Sequence, residues 1–489
     1  MVQDAVPREA VAGVIRSDDG RVLLVRRNPR LKFMGGLYAF PGGSVDADDH
    51  AGVVSGGVDS GGVDSGGVVS GDAVALAREL FEETGLLIVK GSLPSPDERR
   101  EGRKALLDGE LLFQDFLERY NLRVDGARLQ PAGVFVTPAT SPRRFHARFY
   151  LIDQVAVGDE ELVTGELVAL EWMQPGEARS RWRRKELELA PPVALVLELL
   201  DAFPVETALE RLRVDEPFTA GDASGYEVRP GIHVIPLRTP TLPPARHTNC
   251  LSLGEARLFV VDPAPTAVEE QQRLTEQLEY WMCDGAQLSA VLLTHGHADH
   301  IGSATLLRDR YSAPIWAHEA TAEKAEFPVD RLLHDGEVIS IQGDPGWRLR
   351  CLHTPGHDPG HLCFLEESSA TLISGDMVAA QSSIVIPHGH GGDMSAYLDS
   401  MERLLRVDFD LMIPSHGCEM TQPKQVIQAQ IDHRLARERK IQAALDAGVR
   451  GMDELLAASY DDVPRGLWEL AGRTLKAHLV RLGVEDFDE

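Results

Sequence analysis

Apolar residues along this chain follow two rhythms. Short runs rich in aliphatic and β-branched residues, AVAGVIR (10–16), VLLVRR (22–27), AGVFVTP (132–138), ARFYLID (147–153) and ELVALEWM (166–173), read as strands. Two other stretches repeat at helical spacing. One is AVALARELFEETG (73–85), closing on Gly85, the residue type best suited to a left-handed helix cap, and the other is PPVALVLELLDAF (191–203). From about residue 230 the rhythms alternate: GIHVIPL, ARLFVVDPA, LSAVLLT, APIWAH, WRLRCLHTPGH, LCFL, ATLISGD and LMIPSHG are strand-like, with helical stretches near 266–282 and after 300. That alternation predicts an α/β layered domain. The last 60 or so residues, with LWELAGRTLKAHLVRLG (467–483), read as helical and separate.

Two stretches depart from both rhythms. VVSGG VDSGG VDSGG VVSGD (53–72) repeats one five-residue motif four times with almost nothing that could pack, which predicts a flexible inserted linker. The Pro-rich PLRTPTLPPARH (236–247) follows a strand-like run directly, so it opens the second half of the chain and is not a free spacer.

Composition sets the scale. At 489 residues the chain exceeds a single core, so two large domains and a small third are expected. With 43% hydrophobic and 26% charged residues and no uninterrupted apolar run of about 18, it reads as soluble, with no membrane partner. Five cysteines without a C-x-x-C pair, and a start lacking a secretory signal, point to a reducing, cytoplasmic setting. A net charge of -27 repels nucleic acid except where basic residues gather. RSRWRRK (179–185) and RLARERK (434–440) are such places, and each reads first as a solvated helix face.

The densest chemistry lies in LLTHGHADHIGS (292–303). His295, His297, Asp299 and His300 follow an apolar strand directly, on a loop whose backbone the strand end fixes. HTPGH supplies His357, ISGD supplies Asp376 and IPSHG supplies His416, each after an apolar strand and beside a glycine. Five imidazoles and two carboxylates suit two Zn²⁺-type ions. With Asp262 in FVVDPA, this string resembles the metallo-β-lactamase fold superfamily over about 230–425. The resemblance implies an αβ/βα sandwich in which His295, His297 and His357 hold one metal, Asp299, His300 and His416 the other, and Asp376 bridges them. An aspartate at 376 looks like the glyoxalase II and RNase Z branches, so antibiotic hydrolysis is not the first expectation. HRLARERKI and YDDVPRGLWELAGRTLKAHLVRL are similar to the winged-helix-like C-terminal region of the beta-lactamase-like protein 2 branch. A hydroxide held between two zincs is nucleophilic at neutral pH, which makes hydrolysis of a thioester, phosphodiester or lactam the expected chemistry, with Asp299 assigned to catalysis. Of the other histidines, His361, one turn of loop beyond His357, is the one expected to support a ligand from behind, while His353, His388, His390, His433 and His478 read as structural or surface groups.

The first half carries a second constellation. Glu79, Glu82 and Glu83 stand at i, i+3 and i+4 in ARELFEETGL, so their carboxylates share a helix face about 5–6 Å apart. Such repulsion calls for compensation by Mg²⁺, Mn²⁺ or Arg78, and a solvated acidic face is the plain alternative. FPGGSVDADD followed by RELFEETGL resembles the Nudix signature, with Gly43, Arg78, Glu79, Leu80, Glu82, Glu83, Gly85 and Leu86 in place. TPATSPRRFHARFYL and ELELAPPVALVLELL look most like coenzyme A diphosphatase-type Nudix proteins. The resemblance departs twice: Asp49 replaces the first Glu, and residues 50–77 stand where the signature has seven. It implies an α/β/α sandwich in which Glu79, Glu82 and Glu83 hold Mg²⁺ or Mn²⁺ on a diphosphate, with Glu79, Glu83 or a loop acid such as Glu160 serving the attacking water.

The chain as a whole thus reads as an α/β and α+β multidomain protein: a Nudix domain (8–205, with a low-complexity insert at 50–72), a metallo-β-lactamase-fold domain (228–425) and a winged-helix-like region (426–489). The expected function is bifunctional hydrolysis of a nucleoside-diphosphate-linked compound, possibly coenzyme A, and of a thioester or phosphodiester. The alternative is a zinc endonuclease acting on single-stranded RNA, regulated by a Nudix half that senses nucleotide without cleaving it.

Overall fold

The computed structural model describes residues 6–31, 34–50, 70–137, 144–155, 162, 165–212, 218–219, 225–243, 245–282, 285–342, 346–379 and 383–484. Most of the five-residue repeat and Glu160 lie outside these residues. The chain forms two compact units, one from residues up to Pro230 and one from Gly231 onward. Among the described residues no helix is long and apolar enough to cross a membrane.

The first unit is built on a mixed sheet. Strand Arg8–Ser17 lies at its centre, parallel to Phe145–Val155 and antiparallel to Val22–Arg27 and Gly42–Ser44; Gln130–Val136 and Leu167–Met173 flank it. Alternate residues of one strand pack on opposite faces, as a pleated backbone requires. Val11 and Ile15 join the cluster formed with helix Gly71–Thr84, whereas Ala12 and Val14 join the cluster formed with helix Pro191–Ala202. Both faces are therefore covered by helices, and the strand reads as continuously apolar because neither side meets water.

Helix Gly71–Thr84 starts where Ser70 caps Ala73 N and stops at Gly85, whose φ of 78° the missing Cβ permits. Leu76, Leu80 and Phe81 bury its apolar stripe and leave the acidic positions on the side that faces Gly42–Ser44. Buried Arg103 closes the far end, donating from Nη2 to the carbonyl of Glu82 at 2.9 Å.

The second unit stacks two sheets between helices. In one, Ile232–Arg238, His247–Leu253 and Arg257–Val261 run antiparallel, and Gln287–Leu292 and Ile315–Ala317 then add in parallel. Helices Val268–Met282 and Ala304–Tyr311 cover its outer face through Leu274, Leu278 and Leu307. In the other, Val338–Ile341, Trp347–His353, Leu362–Glu366 and Thr371–Gly375 run antiparallel before Leu411–Pro414 adds in parallel. Helix Met394–Leu405 covers this sheet through Tyr397, Leu398 and Met401. The sheets are stitched at their ends, where Leu362 N donates to Thr294 O at 2.7 Å and Asn249 N to Ser415 O at 2.8 Å.

The tail is helical throughout its described residues: Pro423–Asp446, Met452–Ser459 and Trp468–Arg481. No strand follows Leu411–Pro414 among the described residues, so the expected winged-helix-like region carries no β wing there. Nor does it stand apart. Ile427, Ile431 and Ala477 pack into the cluster around Tyr397, and only from Ile441 onward do the helices build a small core of their own.

Candidate functional site

Four strand ends of the second unit deliver the metal-avid residues. Strand Gln287–Leu292 leads into His295, which is fully buried, and then into a one-turn helix, Ala298–Ile301, carrying Asp299 and His300. Trp347–His353 leads to His357, Thr371–Gly375 to Asp376, and Leu411–Pro414 to His416. The seven residues fall into three overlapping groups: His295, His297 and His357; His295, His300 and Asp376; and Asp299, His300 and His416. Within each group the candidate ligand atoms lie within 4.8 Å of one another. Asp376 Oδ2 lies 3.5 Å from His357 Nε2 and 3.6 Å from His300 Nε2, and its Oδ1 lies 3.4 Å from His416 Nε2. That puts it between the two outer groups.

The ring nitrogens facing away from the centre are already occupied. His357 Nδ1 donates to Val385 O at 2.8 Å and His416 Nδ1 to His247 O at 2.9 Å; a carbonyl can only accept, so each Nδ1 carries a proton and each Nε2 is the nitrogen that a neutral ring offers to the centre. His300 Nδ1 is held at 2.9 Å by Asp262 Oδ2. Asp262, itself buried, also accepts from Thr294 N and Oγ1 at 2.8 and 2.6 Å, so one carboxylate fixes both the start of the histidine loop and a ring on it. His361 Nε2 accepts from Asp376 N at 3.0 Å, and its Nδ1 pairs with Thr354 Oγ1 at 2.9 Å, so it stands behind a candidate ligand, and the one it supports is Asp376.

Electrostatics without a cation are unbalanced. Burial and the neighbouring imidazoles push His295 well below the ordinary histidine value and His297 down to about 4. Burial also opposes charge on His300, but Asp376 and Asp262 outweigh it and raise that ring's pKa well above normal. Inward-facing groups lack partners: His300 Nε2 and Asp376 Oδ1 are buried with no hydrogen bond. His297 Nδ1 sits 3.0 Å from His295 Nε2 and 2.9 Å from His357 Nε2. Three nitrogens so close, two presenting lone pairs and the third flanked by them, make a donor set that a cation satisfies and a proton satisfies only in part.

In the first unit the carboxylates stand differently. Arg78 is at the hub: its Nε and Nη2 each reach Asp49 at 3.0 Å, and its Nη1 reaches Glu79 at 2.9 Å and Glu82 at 3.1 Å. Asp49, buried and shorter by one methylene than the signature's Glu, thus serves the arginine. Glu83 Oε2 accepts from Gly42 N at 2.8 Å. A Cβ at Gly43 would meet the Glu79 carboxylate at 2.4 Å, so a side chain there would displace that carboxylate. Burial raises Glu79 to about 7 and Glu83 to about 8, and raises Glu82 as well. Among the described residues the close three-ligand groupings all lie in the second unit, and Glu79, Glu82 and Glu83 do not form one.

Several residues of the two basic runs are paired within the chain. In 179–185, Arg181 pairs with Glu171 and Arg184 with Glu186. In 434–440, Arg437 is buried against Asp462 and Lys440 pairs with Asp461. Sequence reasoning missed Asn249, whose amide donates to Pro414 O at 2.8 Å and Gly417 O at 2.7 Å and so holds the His416 loop from both sides. Nothing in HTNC signals that role.

Paired strand ends carrying imidazoles and acids around a cation-seeking centre define a metal-dependent hydrolase. The Metallo-beta-lactamase superfamily matches residues 243–416. The lactamase-like protein aptB of Emericella nidulans is 30% identical over 232 residues, 44% of this chain and 69% of its own length. The beta-lactamase-like protein 2 homolog of Drosophila melanogaster is 26% identical over 250 residues, 49% of this chain and 82% of that protein. An atrochrysone carboxyl ACP thioesterase of Aspergillus fumigatus is 29% identical over 201 residues, 41% of this chain and 59% of that protein. The solved structure of a NUDIX hydrolase from Alicyclobacillus acidocaldarius aligns at 30% identity and a TM-score of 0.35, over 42% of this chain and 96% of that one. Through its second unit, the chain belongs to the metallo-beta-lactamase superfamily and is a metal-binding hydrolase of it.

Proposed function

We propose that the chain is a bifunctional cytoplasmic metallohydrolase, its second unit a dinuclear zinc enzyme acting on a thioester or phosphodiester and its first a Nudix-type pyrophosphohydrolase. The observation that carries the first part is Asp376 standing between two groups of inward-facing imidazoles. Two zinc ions in those groups would bring the pKa of a shared water toward about 7 and polarise the attacked oxygen. The chain's own residues do the rest. Asp262 and His361 hold His300 and Asp376 in place. Asp299, more exposed than His300, His416 and Asp376 and 3.7 Å from His416 Nε2, is the acid suited to taking and returning a proton. A thioester is favoured over RNA because Arg437 and Lys440 are paired with acids, and because one relative is named as an ACP thioesterase. Four free cysteines among the described residues, Cys250, Cys351, Cys363 and Cys418, fit a reducing compartment.

For the first unit the support is the half-buried carboxylate set on helix Gly71–Thr84. Glu79, Glu82 and Glu83 would hold Mg²⁺ or Mn²⁺ after Arg78 yields part of its hold, and the cation would neutralise a diphosphate. A carboxyl whose folded pKa lies above its ordinary 4.5, as for Glu83 at about 8, binds more protons folded than unfolded. Stability therefore falls as pH rises from about 4.5 through 8. In chelator, the lowest thermal transition of the full chain is expected to drop between pH 5 and 8.5. Millimolar Mg²⁺ should restore more of it at pH 8.5 than at pH 6, and Glu83→Gln should flatten the drop. A pH-independent Mg²⁺ effect would count against a cation at these carboxylates.

The proposal as a whole is tested by stripping the full chain of metal and reloading it. Zinc is expected to restore hydrolysis of acyl-coenzyme A or acyl-pantetheine thioesters above that of a nitrophenyl phosphodiester or single-stranded RNA. Mg²⁺ is expected to support cleavage of coenzyme A, ADP-ribose or dinucleotides. Tight nucleotide binding without turnover would replace the Nudix enzyme by a nucleotide sensor, and cleavage of RNA alone would replace the thioesterase by a nuclease.

A further inference from the structure

Three consecutive residues beside the metal centre, Ile384, Val385 and Ile386, form a strap without regular secondary structure, and each is held by a different partner. The Val385 carbonyl accepts the Nδ1–H of His357 at 2.8 Å. The Ile384 carbonyl accepts from the guanidinium of Arg434, on helix Pro423–Asp446. Ile386 N donates to Thr474 Oγ1 at 3.3 Å, on helix Trp468–Arg481. All four supporting positions are buried: Arg434 and Thr474 are each 4% exposed, Ile384 7% and Ile386 0%. Arg434 also lies 5.5 Å from the ring centroid of Tyr397, whose hydroxyl donates to Met377 O at 2.7 Å. Met377 follows Asp376 directly. Two residues of the tail therefore reach the neighbours of two of the seven groups at the centre.

We propose that Arg434 and Thr474 are positioning residues for the metal centre, and that the helical tail works as a clamp on the 384–386 strap. A carbonyl that receives an imidazole N–H sets both the tautomer and the direction of that ring, and it can do so only if its own peptide cannot rotate. Arg434 and Thr474 lock the peptides on either side of Val385, so the lone pair of His357 Nε2 stays aimed at the centre. Arg434 opens the RLARERK run, and this contact gives the arginine an internal role in place of the surface role its composition suggested.

The inference rests on the reading of the second unit as a metal centre, and the test separates the two. Thr474→Val is nearly isosteric and removes the hydroxyl that accepts from Ile386 N, Thr474→Ser restores it, and Arg434→Lys keeps the charge but not the planar fork. Full-length protein of each kind is titrated with zinc against a chelator of known affinity, and the thermal midpoint of the metal-free form is recorded alongside. Thr474→Val and Arg434→Lys are expected to bind zinc roughly ten- to a hundredfold more weakly, the usual range for lost support behind a ligand, with Thr474→Ser near wild type. A purely structural role would lower the metal-free midpoint and leave zinc affinity unchanged, which overturns the proposal. Wild type that takes up no zinc would overturn the metal-centre reading itself.

Discussion

Replacing His297 by alanine is expected to cost the second unit about one zinc per chain and to lower its hydrolytic turnover roughly a thousandfold or more, because a water lacking its full cation field is a poor nucleophile at neutral pH. His297 Nδ1 lies 3.0 Å from His295 Nε2 and 2.9 Å from His357 Nε2, so its loss opens one group of three while leaving Asp299, His300 and His416 in place. The fold should survive. His297 precedes helix Ala298–Ile301 without a side-chain cap bond, and it is only half-buried. Metal analysis and steady-state kinetics on the same preparation check this, together with the thermal midpoint of the metal-free protein. Full zinc occupancy with retained turnover in His297→Ala would end the assignment.

Glu83→Gln is expected to lower Mg²⁺-dependent cleavage of a nucleoside-diphosphate-linked substrate about a hundred- to a thousandfold, the range seen when a preorganised electrostatic group is removed from a polar transition state. Glu83 is the most strongly shifted of the three carboxyls, pushed up to about 8 by burial against a single backbone donor, Gly42 N. A cation that draws off its proton thus gains a ligand with little competition from water. The amide cannot ionise, yet it fills the same volume and can still accept from Gly42. Nucleotide binding and the stability of the first unit should therefore be kept while turnover is lost. Thioester hydrolysis by the second unit should not change, and a matched loss in both activities would show that the substitution damaged the chain as a whole.

Much of this protein is legible before it folds. The strand at 10–16 is visible because burial on both faces makes it continuously apolar, and the helix at 73–85 because its stripe and its terminal glycine agree. The seven candidate metal ligands are legible for a related reason: each follows an apolar strand, and strand ends are where a sheet holds side chains still while leaving them reachable. The helices at Pro96–Leu107 and Met394–Leu405 were harder to see. The first has only Leu106 and the aliphatic part of Arg103 to mark its buried side. The second follows the glycine- and histidine-rich PHGHGG, which reads as loop.

Residue type and spacing alone determined which groups could bind cations, because imidazole and carboxylate chemistry is a property of the side chain. They determined the order of the strands and helices whose apolar periodicity is strong, since local periodicity carries it. Only the tertiary structure decided which ring nitrogen faces inward, that Asp49 serves Arg78, that His361 supports Asp376, and that two residues of the tail brace a strap more than 45 positions earlier in the chain. Those outcomes depend on backbone carbonyls and amides brought together from distant segments. Every residue but proline carries the same pair, so no sequence pattern can mark the ones that will meet.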